Sequence, residues 1–407
     1  MRRDDVKAML QEFGPRGFVR VMSDLLEGRD GQGHEIKKLD PNHVSIRALW
    51  EGTVGAVEDT LPSGGGHVGH GGLNYIEMQE QVESTAFPSA VGVLIAAKVI
   101  QGYDLPQTIG DSLVTVMPSK LRTERIVGFT AQEGPREVPE GMPYEDSSFS
   151  EKYVVTEAAK KGRIIQITEE TILFDQTGQI LMRAQRLGEM TREERELTIL
   201  AGIVDVGSGA AGYKDVYRPT GSAATLYSAA NNNYQATATP LVDWTDIDET
   251  LRYHAENVRD DRVIASEALP IIWMPSTLLV ARRLAGTSGR ILSATEHRSA
   301  SGSGAETVIT GNPLKNIIPG LTFLSSPLLD YLAGVTGSRY DSAADWFLGD
   351  FKKQFVWQEI WPIQTFRARQ DDEDAFRRDV VARFKVRYFG GIAALDTRWV
   401  VKVNAAA

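Results

Sequence analysis

The chain has 407 residues, 42% of them hydrophobic, and a formal net charge of −10 at pH 7, with a pI near 5.3. That length supports two or three domains with sizeable cores, and the acidic balance excludes a nucleic-acid binder of the usual basic kind, so any contact with DNA has to be local. Cysteine is absent, which excludes disulfides, thiolate metal sites and cysteine nucleophiles and fits a reducing compartment.

The opening residues, MRRDDVKAMLQEFG, mix charges and lack the apolar core of a signal peptide. The longest apolar run, Ala90 to Ala97 before Lys98, falls far short of the roughly 20 residues a spanning helix needs, so no membrane partner is expected. Two helix-like pieces, DDVKAMLQEFG and SIRALWEGTVGAVEDTL, flank a charged stretch, and PSGGGHVGHGG at 62–72 has linker composition. Residues 1–88 therefore read as an arm ordered by contact with something else.

Apolar density rises from Phe87 to Gly102. Two strand-like runs, LRTERIVG and SEKYVVTEAAKKGRIIQI, then enclose FTAQEGPREVPEGMPYEDSSF at 129–149. A hairpin that only turns needs two to five residues, so a connection this long is functional or disordered. Its Pro135, Pro139 and Pro143 each fix φ and remove an amide donor, while Glu133, Glu137, Glu140, Glu145 and Asp146 make an acidic surface that calls for a basic partner.

From Thr177 to about Ile203 a proline-free pattern places Ile180, Ala184, Leu187, Met190, Leu197 and Ala201 at helical steps, with Glu194 interrupting the stripe. Thr177 is the expected N-cap and Gly202 the C-terminal signal. A helix this long is about twice the mean and predicts a structural axis. Residues 207–240 are small, polar and aperiodic, and read as a crossing between domains.

Thr245 with Asp248 then predicts a capping box for a helix that puts Ile247, Leu251 and Val258 on one face. IIWMP at 271–275 reads as a buried strand, Ser276 as the cap of a helix TLLVARRLA, HRSASGSGAE at 297–306 as a loop and LTFLSSPLL at 321–329 as a strand. Near the end, FKKQFVWQEIWPIQTFRARQ and FRRDVVARFKVRYFGG flank DDED. In the second of these Val380, Ala382, Phe384, Val386 and Tyr388 alternate with Val381, Arg383, Lys385 and Arg387, a core face against a mostly basic one. The elements together predict an α+β fold without internal repeats.

Chemical motifs are sparse. GSGAAG, Gly207 to Gly212, matches the spacing of a dinucleotide fingerprint, but the residues before it belong to the long helix and Pro219 prevents a helix after it. It reads as a glycine-rich helix exit. His67 and His70 sit among glycines, where no helix would hold them on one metal. Asp371, Asp372, Glu373 and Asp374 lack the ligand spacing of a calcium loop and are flanked by Arg367, Arg369, Arg377 and Arg378, so they read as a charged turn between strands. Arg383, Lys385 and Arg387 suit phosphate contact or ion pairing between subunits. Hydrolase, P-loop and zincin signatures are missing, and neither catalytic residues, a bound metal nor a cofactor is expected.

Three stretches, in order, carry a resemblance. The hairpin arms run from an acidic, proline-containing tip into SSFSEKYVVTEAAKKGRIIQITEETI; TGQILMRAQRLGEMTREERELTILAG follows; DWFLGDFKKQFVWQEIWPIQTF and DAFRRDVVARFKVRYFGGIAALDTRWVVKV close the chain. Over about residues 89–402 the chain resembles the major capsid protein of tailed bacteriophages, with the Hong Kong 97-type fold. The resemblance implies an N-terminal arm at 1–88 and an extended β-hairpin loop at 121–157 lying over a neighbouring subunit. It further implies a peripheral domain at 89–120, 158–239 and 346–407 with its spine helix at 177–203, and an axial domain at 240–345. The loop tip, Glu133, Pro135, Arg136, Glu137, Pro139, Glu140, Pro143, Tyr144, Glu145 and Asp146, becomes the expected subunit interface.

The implied function is self-assembly, through hexamers and pentamers, into an icosahedral shell that encloses double-stranded DNA without sequence-specific binding. Portal protein and separate scaffolding or decoration proteins are the further partners implied, with assembly in the host bacterial cytoplasm and residence in the virion. Residues 1–88 are too short and too poor in heptads to match the scaffolding segment of many relatives, and no Lys–Asn pair matches the cross-link some of them form. The alternatives are an encapsulin-like compartment shell and, from another class, a nucleotide-dependent enzyme using Gly207–Gly212.

Overall fold

The computed structural model describes residues 3–29, 34–41, 44, 46, 48–49, 90–104, 108–127, 131–132, 135, 137–144, 146, 149–150, 153–168, 179–236, 239–260, 262, 268–300, 307–367 and 380–404. Thr177, His67, His70 and the acidic run 371–374 lie outside them. The chain forms two compact units, one of Met1–Gln107, Lys161–Glu194 and Ile363–Tyr388, the other of Thr108–Lys160, Arg195–Pro362 and Phe389–Ala407.

In the first unit, helix α1 (Arg3–Glu27) bends at Gly14, whose φ of 67° suits only glycine, and then resumes. Its Val6, Phe18, Met22 and Leu26 are buried with Val44, Ile46 and Leu49. The expected arm thus begins as part of this unit's own core, because its apolar residues find partners within the chain. Helix α2 (residues 90–103) adds Val91, Leu94, Ile95 and Val99, and helix α3 (Gln179–Ile203) adds Ile180, Leu181 and Ala184. A Cβ on Gly102 would collide with the Gln185 carbonyl, and one on Gly188 with the Val99 carbonyl, so these two helices cross backbone to backbone. Of the predicted stripe on α3, Met190 is 52% exposed. Glu194 does not interrupt a buried face but pairs with Lys161 at the surface.

The second unit begins with a helical turn (Gly110–Leu113), strand β1 (Thr115–Pro118) and the hairpin strands β2 (Thr123–Val127), β3 (Ala131–Gln132), β4 (Phe149–Ser150) and β5 (Tyr153–Glu157). Strands β6 (Ala159–Thr168), β13 (Phe355–Arg367) and β14 (Val380–Ala394) contribute residues to both units, and the order in their sheet is β1-β13-β14-β6. A five-stranded sheet forms the core of the second unit. Its members are β7 (Tyr234–Gln235), β8 (Thr277–Ala281), β11 (Thr322–Ser326), β12 (Asp345–Gly349) and β15 (Val400–Asn404), ordered β11-β8-β12-β15-β7. All five residues of central β12 are buried, as expected for a strand covered on both faces. Trp346 and Leu348 pack with Leu278, Val280, Val401 and Val403, and Ile247 and Ile291 close over them from helices α4 (Trp244–Asn257) and α5 (Ala285–Ser293).

Several expectations shift here. Residues 271–275 are not a buried strand: Ile272 is 95% exposed, and the strand is the next segment, TLLVA, which was expected to be helical. A short apolar run fits either state, and pairing with β11 on one side and β12 on the other decides it. The helix at 244 is capped by Asp243 with Asp246 in a full capping box, two residues before the predicted pair. Within LTFLSSPLL the strand ends at Ser326, which caps helix α6 (Pro327–Ala333) with Pro327 in its first turn. The predicted loop at 297–306 begins as strand β9 (Glu296–Ala300), paired with β10 (Thr307–Gly311). Gly202 does not terminate α3; it lies inside the helix, where a Cβ would strike Ile392, and the left-handed residues come later, at Asp205 and Gly207.

Candidate subunit interface

The opening of the hairpin is laddered in register, Thr123 opposite Glu157 through Val127 opposite Tyr153, and Ala131 opposite Ser150 continues the pairing outward. The second predicted run divides at Ala158, with β5 staying in the hairpin and β6 joining the larger sheet. Period-two patterning then gives the hairpin one covered face and one open one. Val154 and Thr156 are 4% and 1% exposed, whereas Val127 is 60% exposed.

The foot is fastened along the outer edge of β5. Val155 N–H donates to the Arg218 carbonyl and Thr220 N–H to the Tyr153 carbonyl, both at 3.1 Å. Glu157 accepts Lys214 and Arg218 at 2.7 Å each. The Lys214 hydrogen bond, working against burial, holds the Glu157 carboxyl below its ordinary value. Arg125 lies 5.1 Å over the Tyr153 ring. Below the foot a cleft of about 410 Å³ is lined by Tyr153, Thr220, Asn231, Arg259, Asp396 and Arg398 among others.

Among the described residues beyond the ladders, none is buried. Pro135, Glu137, Pro139, Glu140, Pro143, Tyr144 and Asp146 are all exposed, Tyr144 by 88%. Glu133, Arg136 and Glu145 lie outside the described residues. A turn shapes the tip, Met142 N–H donating to the Pro139 carbonyl at 3.1 Å with Gly141 at φ 84°.

Residues 152–403, more than half of the chain, match the family model described as phage capsid protein. The chain belongs to the phage capsid protein family. No curated protein matches this capsid protein in sequence. Among solved structures, it is similar to the capsid of a native GTA particle at 9% identity and TM-score 0.46, covering 74% of this chain and 92% of the other. Mycobacterium phage Ogopogo matches at 14% identity and TM-score 0.44, with coverage of 74% and 92%. A virus-like particle from Pyrococcus furiosus matches at 10% and 0.40, with coverage of 76% and 97%.

The other sequence candidates of the capsid protein are occupied by its own groups. On β14, Phe384, Val386 and Tyr388 are buried while Lys385 is exposed and Arg383 and Arg387 are half-buried. Arg387 stacks 4.2 Å over Phe366 and donates to Gln364 at 3.3 Å; Lys385 lies 5.5 Å over the same ring. Around Gly207–Gly212 no helix follows, and Arg339 lies against Gly207 while joining Asp205 at 3.3 Å and Asp215 at 2.8 Å. Burial pushes the Asp205 carboxyl up; at Asp215 burial is outweighed by Ser208 and Arg339, which hold it down. The glycine loop is thus filled by an arginine of its own chain.

Pattern reading missed the buried charges of the capsid protein. On α3, Glu196 accepts the amides of Ile109 and Gly110 at 2.8 Å, capping the turn at 110–113, and neighbouring Arg195 reaches Asp111 at 3.1 Å and lies over Trp357. Lys402 and Asp345, both buried, meet at 2.8 Å, and Asn404 donates to the same carboxylate at 2.7 Å. Strand β15 buries both faces, so alternation in the sequence, which groups Lys402 with Val400 and Asn404, gives no sign that it is inward. No helix among the described residues is long and apolar enough to cross a membrane, and no group of three or more metal-ligating side chains occurs among them.

Proposed function

We propose that this capsid protein is the major head protein of a tailed phage or prophage, polymerising into an icosahedral shell around double-stranded DNA. Residues 121–157 lie over a neighbouring copy as the extended loop of a Hong Kong 97-type subunit, with 1–88 as the arm, 89–120, 158–239 and 346–407 as the peripheral domain and 240–345 as the axial domain. One observation carries the reading: in a chain of the capsid family, the hairpin is laddered at its foot yet Pro135, Glu137, Pro139, Glu140, Pro143, Tyr144 and Asp146 at its tip are solvent-exposed. A two-stranded ribbon is marginal alone, so its order is completed on another surface. Many such contacts, each weak, close a symmetric shell by mass action.

On this reading the protein does no catalysis, assembles in the host cytoplasm and remains in the virion, with portal and separate scaffolding proteins as further partners. Net charge of −10 suits a container that must not grip its genome through phosphate contacts. The test is size exclusion with negative-stain microscopy of the purified chain, followed by a nuclease-protection assay on particles from producing cells. Closed shells that protect DNA are expected; small discrete species under every assembly condition would end the proposal.

A further inference from the structure

The hairpin is electrically polarised along its length. At the tip, Glu137, Glu140 and Asp146 are exposed and none has a cationic partner among the described residues. At the foot, Lys120, Arg122 and Arg125 are exposed around the start of β2, and Lys160 is exposed at the start of β6. Among the described residues none of these four pairs with a carboxylate; Arg125 and Lys160 lie over the rings of Tyr153 and Trp361. Of the nearby acids, Glu157 is paired with Lys214 and Arg218, while Glu124 accepts the Ser119 hydroxyl, one carboxylate against four cations, so the foot stays net positive. One end of a single element therefore carries unmatched negative charge and the other unmatched positive charge.

Neither end can satisfy the other within one copy. The ladder at 131–132 with 149–150, and for Lys120 and Arg122 also the ladder at 123–127 with 153–157, stands between them. The longer ladder alone spans about 13 Å at ~3.3 Å per residue, beyond the ~8 Å screening length of physiological salt. A second copy has no such constraint.

We infer that the acidic tip of one copy docks on the basic foot, Lys120, Arg122 and Arg125, of the next copy's hairpin. This rests on the shell reading above and names the surface that receives the loop. The contact is head-to-tail, so repeated around an axis it closes a ring. Charge complementarity of this kind sets register and encounter rate more than raw affinity, so assembly slows as salt rises.

Charge exchange tests the contact. Glu137→Lys/Glu140→Lys/Asp146→Lys and, separately, Lys120→Glu/Arg122→Glu/Arg125→Glu are each expected to cut the assembled fraction about tenfold at low salt, and their combination to restore it. Because charge reversal at the foot can disturb folding, a second measurement uses the absence of native cysteine: Glu140→Cys with Arg122→Cys. On oxidation of assembled shells this pair is expected to give a ladder of cross-linked copies. Restoration failing in variants that melt like the wild type, or shells without a ladder, would overturn the docking while leaving the shell reading intact. A wild-type chain that forms no shells would instead sink that reading.

Discussion

The hairpin at 121–157 and the five-stranded sheet are both β-structure, yet they are held in opposite ways. Strand β12 is buried at every position, and Trp346, besides packing among Leu278, Val401 and Val403, donates its indole N–H to the Thr239 carbonyl at 3.2 Å. In the hairpin, no residue of β2 is buried and none of the described tip residues joins either core. The sheet's order is complete within one chain; the hairpin is anchored at its foot and, on the proposal above, finished on a neighbouring copy. Stability and assembly should therefore separate by position, and substitutions can pull them apart.

The largest effect is expected in the sheet. Trp346→Ala should cost about 3–5 kcal/mol through the cavity it leaves, read as a lowered denaturant midpoint of the unassembled chain. Asp345→Ala strands buried Lys402 without its carboxylate and should cost a similar ~3–5 kcal/mol, whereas a paired apolar replacement of both recovers much of it. Asp243→Ala removes the capping box of α4 and should cost about 1 kcal/mol.

Effects on the hairpin should be smaller in the unassembled chain. Glu157 has a lowered carboxyl value in the fold, so its contribution is full above its ordinary value of 4.5 and is lost as pH falls through the lowered one. Glu157→Gln should flatten that part of the acid titration of stability, by well under ~1 kcal/mol for a pair this near the surface. Smallest of all, neutralising Glu137, Glu140 and Asp146 to glutamine should leave melting unchanged and impair only shell formation. Should that variant assemble normally, the tip works by reach and shape alone.

What could be read from residue order follows the same division. The alternation across 380–388, the helical pattern after Thr177 and the two arms of the hairpin all come from local periodicity, and each appears as an element. Where several states share one local pattern, tertiary pairing decided: TLLVA became a strand because β11 and β12 flank it. Ile271 to Met274, apolar enough to look buried, alternate instead, with Trp273 stacked 3.9 Å from His254 and Ile272 and Met274 facing water. Glycine misled in one place, since Gly202 serves close packing rather than a helix end. The buried charges at Glu196, Asp205, Asp345 and Lys402 were out of reach, because their partners lie tens of residues away in sequence.

The crossing of α2 and α3 has a consequence on another timescale. Each helix offers a glycine where the other presents a backbone carbonyl, Gly102 against Gln185 and Gly188 against Val99. Shrinking a neighbouring side chain relieves neither collision, since the obstacle is main chain. Among sequences that keep this crossing, positions 102 and 188 should stay glycine together while the helix faces around them drift, and a lineage that loses one should have moved the two helices apart.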